Sequence, residues 1–159
     1  MRCAERYGRV VARVPRTSLP DGYFHVFSRG VASAGPVFRD DDDRETFLDL
    51  VWRAARSNGW TCHAICLMGS HYHLVLETQR ESLSSGIHRL NWLYAMSFNM
   101  KHARFGHVFA SRFSARVIES EHYLYDACAY VLLNPVRAGL CDKIDDWPWS
   151  YSTYGLDAI

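Results

Sequence analysis

The chain has 159 residues, of which 48% are hydrophobic, 14% aromatic and 22% charged. This is the composition of one folded domain and excludes a disordered chain. Its longest apolar runs fall well short of the roughly 20 residues of a membrane-spanning helix. The arginine-rich start has no apolar stretch of the signal-peptide kind behind it, so the expected location is the cytoplasm, with no membrane partner.

The net charge of +1 hides a segregation: +4 over residues 1–20, −3 over 21–79, +5 over 80–118 and −5 over 119–159. Sixteen of the eighteen cationic residues are arginine, which grips phosphate bidentately and stacks on bases as lysine does not. Two basic stretches point to a nucleic-acid partner; a solvated surface of mixed charge is the plainer alternative.

Residues 1–21, with Pro15 and Pro20 and no apolar period, read as a basic arm. Residues 22–159 read as one domain. Gly22 to Arg29 is rich in aromatics and β-formers and is predicted as a strand. Asp40 to Asp43 precede Phe47, Leu48, Val51, Trp52 and Ala55, a helical spacing with anions at the N-terminus. The acid run is therefore read as a cap and first turn, and Asn58-Gly59 ends the helix. Trp60 to Leu67 and His71 to Glu77 are predicted strands joined by a tight turn at Gly69-Ser70. Ser82 to Ala103 reads as a long helix, Val108 to Ile118 as a fourth strand, and a last helix runs from a Ser120 cap to about Arg137. Pro135 should kink or end that helix near Asn134, and Gly139 suits its C-terminal cap. The order is βαββαβ plus a helix. This is an α+β fold, ferredoxin-like, with an antiparallel sheet and an extra C-terminal helix.

The five cysteines, Cys3, Cys62, Cys66, Cys128 and Cys141, are odd in number and irregular in spacing, so they form no disulfide framework. Cys62 and Cys66 fall on one face of the predicted second strand, with His63 on the other. No second ligand pair follows at zinc spacing, and both read as small buried hydrophobes.

His71 and His73 are i and i+2 on a strand, so both leave the same face and can meet at one ion. The same pair fits two unrelated packed or surface histidines. Tyr130 and Asn134 are four apart and neighbours on one helical face. Taken singly, the tyrosine fits a core aromatic and the asparagine a helix end before Pro135. An amide oxygen suits Mg²⁺ or Mn²⁺, and imidazole accepts several divalent ions. Two histidines and one amide would leave positions open for a phosphate oxygen.

Several segments resemble a known family in the same order. Phe24-His25-Val26-Phe27-Ser28-Arg29-Gly30 is similar to its opening strand, and Leu67-Met68-Gly69-Ser70-His71-Tyr72-His73-Leu74 resembles the strand motif of the HUH endonucleases. Phe105 to Phe113 and Tyr130 to Leu140 resemble the later motifs of the REP-associated tyrosine transposases. Asp146-Trp147-Pro148-Trp149-Ser150-Tyr151 resembles their C-terminal signature. Gly69-Ser70 replaces the family's frequent Pro-Asn, and Ala110 stands where Gln or Glu is common.

The resemblance implies a metal-dependent domain that cleaves and rejoins single-stranded DNA. By it, Tyr130 is the nucleophile, and His71, His73 and Asn134 hold a divalent metal, Mg²⁺ or Mn²⁺. The product is a 5′-phosphotyrosine and a free 3′-OH. A phenol needs help to act as a nucleophile near neutral pH, and His122 or a bound water is a candidate base. The expected partner is single-stranded or hairpin DNA, because arginine and aromatic side chains suit exposed bases. The expected contacts are Arg9, Arg13, Arg16, Arg29, Arg104, Arg112 and Arg116. A monomer and a homodimer both fit. Two other readings use the same residues: a non-catalytic DNA-binding regulator, and a water-using hydrolase in which Tyr130 is structural.

Overall fold

The computed structural model describes residues 21–154. The strands are β1 (Gly22–Arg29), β2 (Thr61–Leu67), β3 (His71–Thr78), β4 (Ser114–Ile118) and β5 (Ser150–Ser152). The helices are α1 (Asp41–Asn58), α2 (Arg80–Lys101), α3 (Glu121–Leu132) and the single turn α4 (Asn134–Arg137). The sheet order is β4-β1-β3-β2-β5, and each of its four pairings is antiparallel. The predicted ferredoxin-like α+β arrangement is the observed one, extended by β5.

Side-chain alternation along the strands divides the core in two. Phe24, Val26, Tyr72, Leu74 and Leu76 face α1 and α2 in the larger cluster. Ala64, Cys66 and Val75 face the other way, where α3 packs with Leu124, Ala127, Cys128 and Val131. The sheet is therefore covered on both sides.

The start of α1 follows the acid run as expected. Asp40 is the N-cap and accepts from the Asp43 amide at 2.9 Å, with Asp41 to Asp43 in the first turn. Phe47, Val51 and Ala55 are buried at helical spacing. Gly59 closes the helix at φ 64° and Gly139 closes α4 at φ 67°, a left-handed backbone that glycine adopts without steric cost.

Three local expectations need correction: the extent of the fourth strand, the Ser120 side-chain cap and the shared face of Cys62 and Cys66. The fourth strand covers only Ser114–Ile118. Ala110, Ser111 and Arg112 are all exposed, so this stretch has no inward face. Phe109 makes only an isolated bridge with Gly30.

The last helix is interrupted next to Asn134, as Pro135 predicts. Pro135 has no N–H and its ring crowds the carbonyl four residues back, at Val131, so α3 stops at Leu132 and α4 restarts at Asn134. Ser120 stands at the N-cap of α3 without a side-chain cap hydrogen bond.

Cys62 and Cys66 lie on opposite faces, because the β2–β3 register shifts between Cys62 and Ala64. This bulge turns His63 and Ala64 to the same side. Both thiols are buried, and burial pushes Cys62 up to about 12 and Cys66 up to about 11, as for inert core residues.

The fifth strand was not anticipated. Its three residues are too short for a visible alternation, and it pairs with the β2 edge through Ala64–Ser152, Ile65–Tyr151 and Cys66–Ser150. Trp147 Nε1 donates to the Leu67 carbonyl at 3.1 Å and fixes this segment. Among the described residues, no helix is long and apolar enough to cross a membrane.

Candidate active site

The register of the central strands builds the site. In the β1–β3 pair, Arg29 lies opposite His71, Phe27 opposite His73 and His25 opposite Val75. In the β1–β4 pair, His25 lies opposite Arg116. Directly opposed residues share a face, so two cations, three imidazoles and one phenyl ring gather beneath α3.

Tyr130 on α3 meets this group. Its ring is 5.8 Å from His25 and 6.4 Å from His73, in edge contacts. The His71 and His73 rings are 5.0 Å apart and nearly perpendicular. Asn134 follows one turn after Tyr130, and Arg137 lies 5.0 Å over the Tyr130 ring. Seven residues are about two helical turns, which sets Arg137 on the Tyr130 side of the α3–α4 segment.

Each histidine of the pair has Nδ1 on a protein partner. Ser70 Oγ is 3.0 Å from His71 Nδ1, and His25 Nε2 is 2.9 Å from His73 Nδ1. The atom left on each ring for a ligand is Nε2. Burial, then Arg29, lowers the pKa of His71. His73 is pushed down to about 2, first by burial and then by His25, His71 and the nearby arginines. His25 falls to about 3, through burial and then Arg116. All three shifts favour the neutral ring, the state a metal requires. Asn134 uses Nδ2 on two backbone carbonyls, and its Oδ1 is the hard donor that remains. Neutral imidazole nitrogens and an amide oxygen fit Mg²⁺ or Mn²⁺.

The other predicted residues are less uniformly placed. Arg29 and Arg116 belong to the histidine face, and Arg116 lies 5.8 Å over Phe27. Arg112 is exposed in the loop before β4. Arg104 lies 5.6 Å over Phe98, whose ring packs in the α1–α2 core, so it does not join the histidines. Arg9, Arg13 and Arg16 lie outside the described residues. His122 is exposed and packs on Tyr123 at 5.6 Å. It stands eight residues before Tyr130, about 12 Å along the helix axis, too far to take the phenolic proton.

Sequence reasoning missed His25, Ser70 and Arg137. Period-2 alternation puts His25 on one face with Arg29, but its partner 48 residues away appears only once the β1–β3 register is known. Arg137 was open to the same helical spacing, seven residues after Tyr130, but carried no motif signal of its own.

A second cluster of ligand-type side chains lies elsewhere. Atoms of Asp40, Asp43 and His102 converge within 4.8 Å. Lys101 Nζ already stands among the carboxylates, 2.6 Å from Asp40 and 3.1 Å from Asp43. Its ammonium supplies the cation and ties the end of α2 to the start of α1, which adds a clamp to the cap role.

The family model described as Transposase IS200 like matches residues 26–132. This is more than half of the chain, and the protein belongs to that family. The matched span contains His71, His73 and Tyr130 and stops two residues before Asn134. The structure is similar to that of a REP-associated tyrosine transposase bound to a REP hairpin, with a TM-score of 0.74 at 14% identity, covering 88% of this chain and 82% of that one. A candidate transposase from Deinococcus radiodurans R1 matches at a TM-score of 0.47 and 15% identity, over 74% of this chain and 94% of that one. No curated protein matches the chain at a significant level.

Proposed function

We propose that this transposase-family protein cleaves and rejoins single-stranded or hairpin DNA, with Tyr130 as nucleophile. The observation that carries the reading is the contact of Tyr130 on α3 with His73, whose ring in turn meets that of His71 on the same sheet face. In the reaction, Tyr130 Oη attacks a backbone phosphorus. The Oη–P bond forms and the P–O3′ bond breaks. The departing 3′ oxygen takes up, through solvent, the proton the phenol gives up. The products are a 5′-phosphotyrosine and a free 3′-OH. A 3′-OH from another strand reverses the step and joins DNA without a nucleotide cofactor, because the linkage to Tyr130 retains the phosphodiester energy.

His71, His73 and Asn134 are the residues that would hold a divalent cation, which when bound neutralises charge on the attacked phosphate. Arg137 and Arg29 offer charge for the flanking phosphates. Arg116 and Phe27 offer a cation and a ring for an unpaired nucleotide. Arg9, Arg13, Arg16 and Arg112 extend the electrostatic contact, and Arg104, stacked on Phe98, contributes least to it. The hairpin in the similar transposase supports a hairpin as the substrate form.

The test is incubation with single-stranded hairpins and Mn²⁺, followed by a denaturing gel. A DNA adduct dependent on Tyr130 is the expected result. Binding without an adduct would instead make the protein a non-catalytic regulator, and strand cutting without an adduct would make it a water-using hydrolase.

A further inference from the structure

His25 is a buried polar side chain that the proposed chemistry does not use. It is 3% exposed, and its neighbour His73 is 7% exposed. Its Nε2 lies 2.9 Å from His73 Nδ1, so one proton sits between the two nitrogens. Two assignments exist. If His25 Nε2 carries the proton, His73 accepts at Nδ1 and, being neutral, holds its own proton on Nε2. That ring then has no lone pair for a metal. If His73 Nδ1 carries the proton, it donates to His25 and leaves the His73 Nε2 lone pair open.

We infer that His25 is a positioning residue that accepts the Nδ1 proton of His73 and thereby fixes the tautomer in which His73 ligates through Nε2. The inference rests on the reading of His73 as a metal ligand. His25 is not itself a third ligand, because a neutral ring that accepts at Nε2 carries its own proton on Nδ1 and has no lone pair left. Among the described residues, moreover, the one three-member set of such side chains whose atoms converge is Asp40, Asp43 and His102. The arrangement parallels the outer hydrogen bond that orients metal-binding histidines elsewhere, except that the acceptor is an imidazole rather than a carboxylate. Ser70 Oγ at 3.0 Å from His71 Nδ1 plays the corresponding part for the other ring. Ser70 is on an exposed turn, whereas His25 is locked in a central strand, so the stronger constraint falls on His73. The His25 ring also touches Tyr130 at 5.8 Å, so one side chain sets the spacing between ligand and nucleophile.

The experiment has two arms. The first is nitrogen-15 NMR of the metal-free full chain with labelled histidine, with His73→Ala used to assign the signals. His73 should be in the Nδ1–H form; the Nε2–H form in the parent overturns the inference whatever the metal does. The second is Mn²⁺ titration by calorimetry. His25→Leu should weaken binding by about 10–100-fold, the usual effect of losing an outer partner. His25→Gln, whose amide oxygen can accept the same proton, should recover most of it. Parent affinity in a folded His25→Leu protein overturns the inference. If His73→Ala also binds Mn²⁺ as the parent does, the metal site itself is wrong. If His73→Ala loses binding and His25→Leu keeps it, only the role of His25 falls. If His25→Leu does not fold, the NMR result and His25→Gln still decide.

Discussion

Asn134 donates its side-chain Nδ2 to the Tyr130 carbonyl at 2.9 Å and to the Val131 carbonyl at 3.2 Å. These are the carbonyls stranded where Pro135 interrupts the helix. One amide thus caps α3 with its nitrogen and keeps its oxygen for a ligand. Asn134→Ala should lose both services: stability should fall by about 1 kcal/mol, and Mn²⁺ affinity should fall by at least about tenfold. Asn134→Asp separates them. It keeps an oxygen ligand but sets a carboxylate against two carbonyls, so it should bind Mn²⁺ while unfolding at lower temperature. Calorimetry and thermal unfolding read the two effects. Parent-like Mn²⁺ binding by Asn134→Ala would leave Asn134 as a cap alone.

Tyr130→Phe should abolish the DNA adduct and leave hairpin affinity within about twofold. The ring keeps its edge contacts with His25 and His73, and only the hydroxyl is lost, so folding should persist. Denaturing gels and fluorescence anisotropy on the same hairpin check both halves. An adduct that survives in this variant removes Tyr130 as the nucleophile.

Much of the fold was legible because the helices bury residues at 3.6 spacing and the strands alternate. Phe47, Val51 and Ala55 reveal α1, and the two histidines at i and i+2 share a face as the strand period demands. What failed were irregularities set by tertiary partners. The bulge at His63, which separates Cys62 from Cys66, leaves no mark in the local pattern. The loop 108–113 mimics a strand because Phe109, Phe113 and Val117 fall at even spacing. The motif residues of the candidate site could be singled out from spacing and resemblance, but His25 meets His73 only through strand register. Arg137 lies about two helical turns after Tyr130 and so shares its face, but nothing in the motif alone marked it as a partner of the phenol.

The Asp43 clamp should govern acid stability. Burial opposes the Asp43 charge, but hydrogen bonds from the Arg39 amide, His102 and Lys101 overcome it and hold the carboxyl below its ordinary range. A hydrogen bond from Lys101 is the main cause holding Asp40 down as well. Both folded pKa values lie below the unfolded ones, so this contribution is complete above the ordinary carboxylate range, about pH 4. It is lost as pH falls through the folded values. Asp43→Asn should cost about 1–3 kcal/mol at pH 7 and flatten the decline below about pH 4. Thermal unfolding from pH 7 to 3 tests this; an acid limb equal to the parent's would place the loss elsewhere.

Salt dependence should sort the arginines. Each phosphate contact on single-stranded DNA contributes a slope of about 0.7 in log affinity against log salt. Arg29 and Arg116 lie on the histidine face, so Arg29→Ala and Arg116→Ala should each flatten the slope by about that amount. Arg104 is stacked on Phe98 in the other layer, so Arg104→Ala should change the slope least of the three. Removal of residues 1–19, with Arg9, Arg13 and Arg16, should flatten it by about 2 if all three meet phosphate. Affinity should then converge with the parent at high salt, and the Tyr130 adduct should persist at saturating DNA. Anisotropy titrations between about 50 and 200 mM salt decide this. An unchanged slope after truncation would leave the folded domain as the whole electrostatic contact. A larger effect from Arg104→Ala than from Arg29→Ala would move the DNA path away from the histidine face.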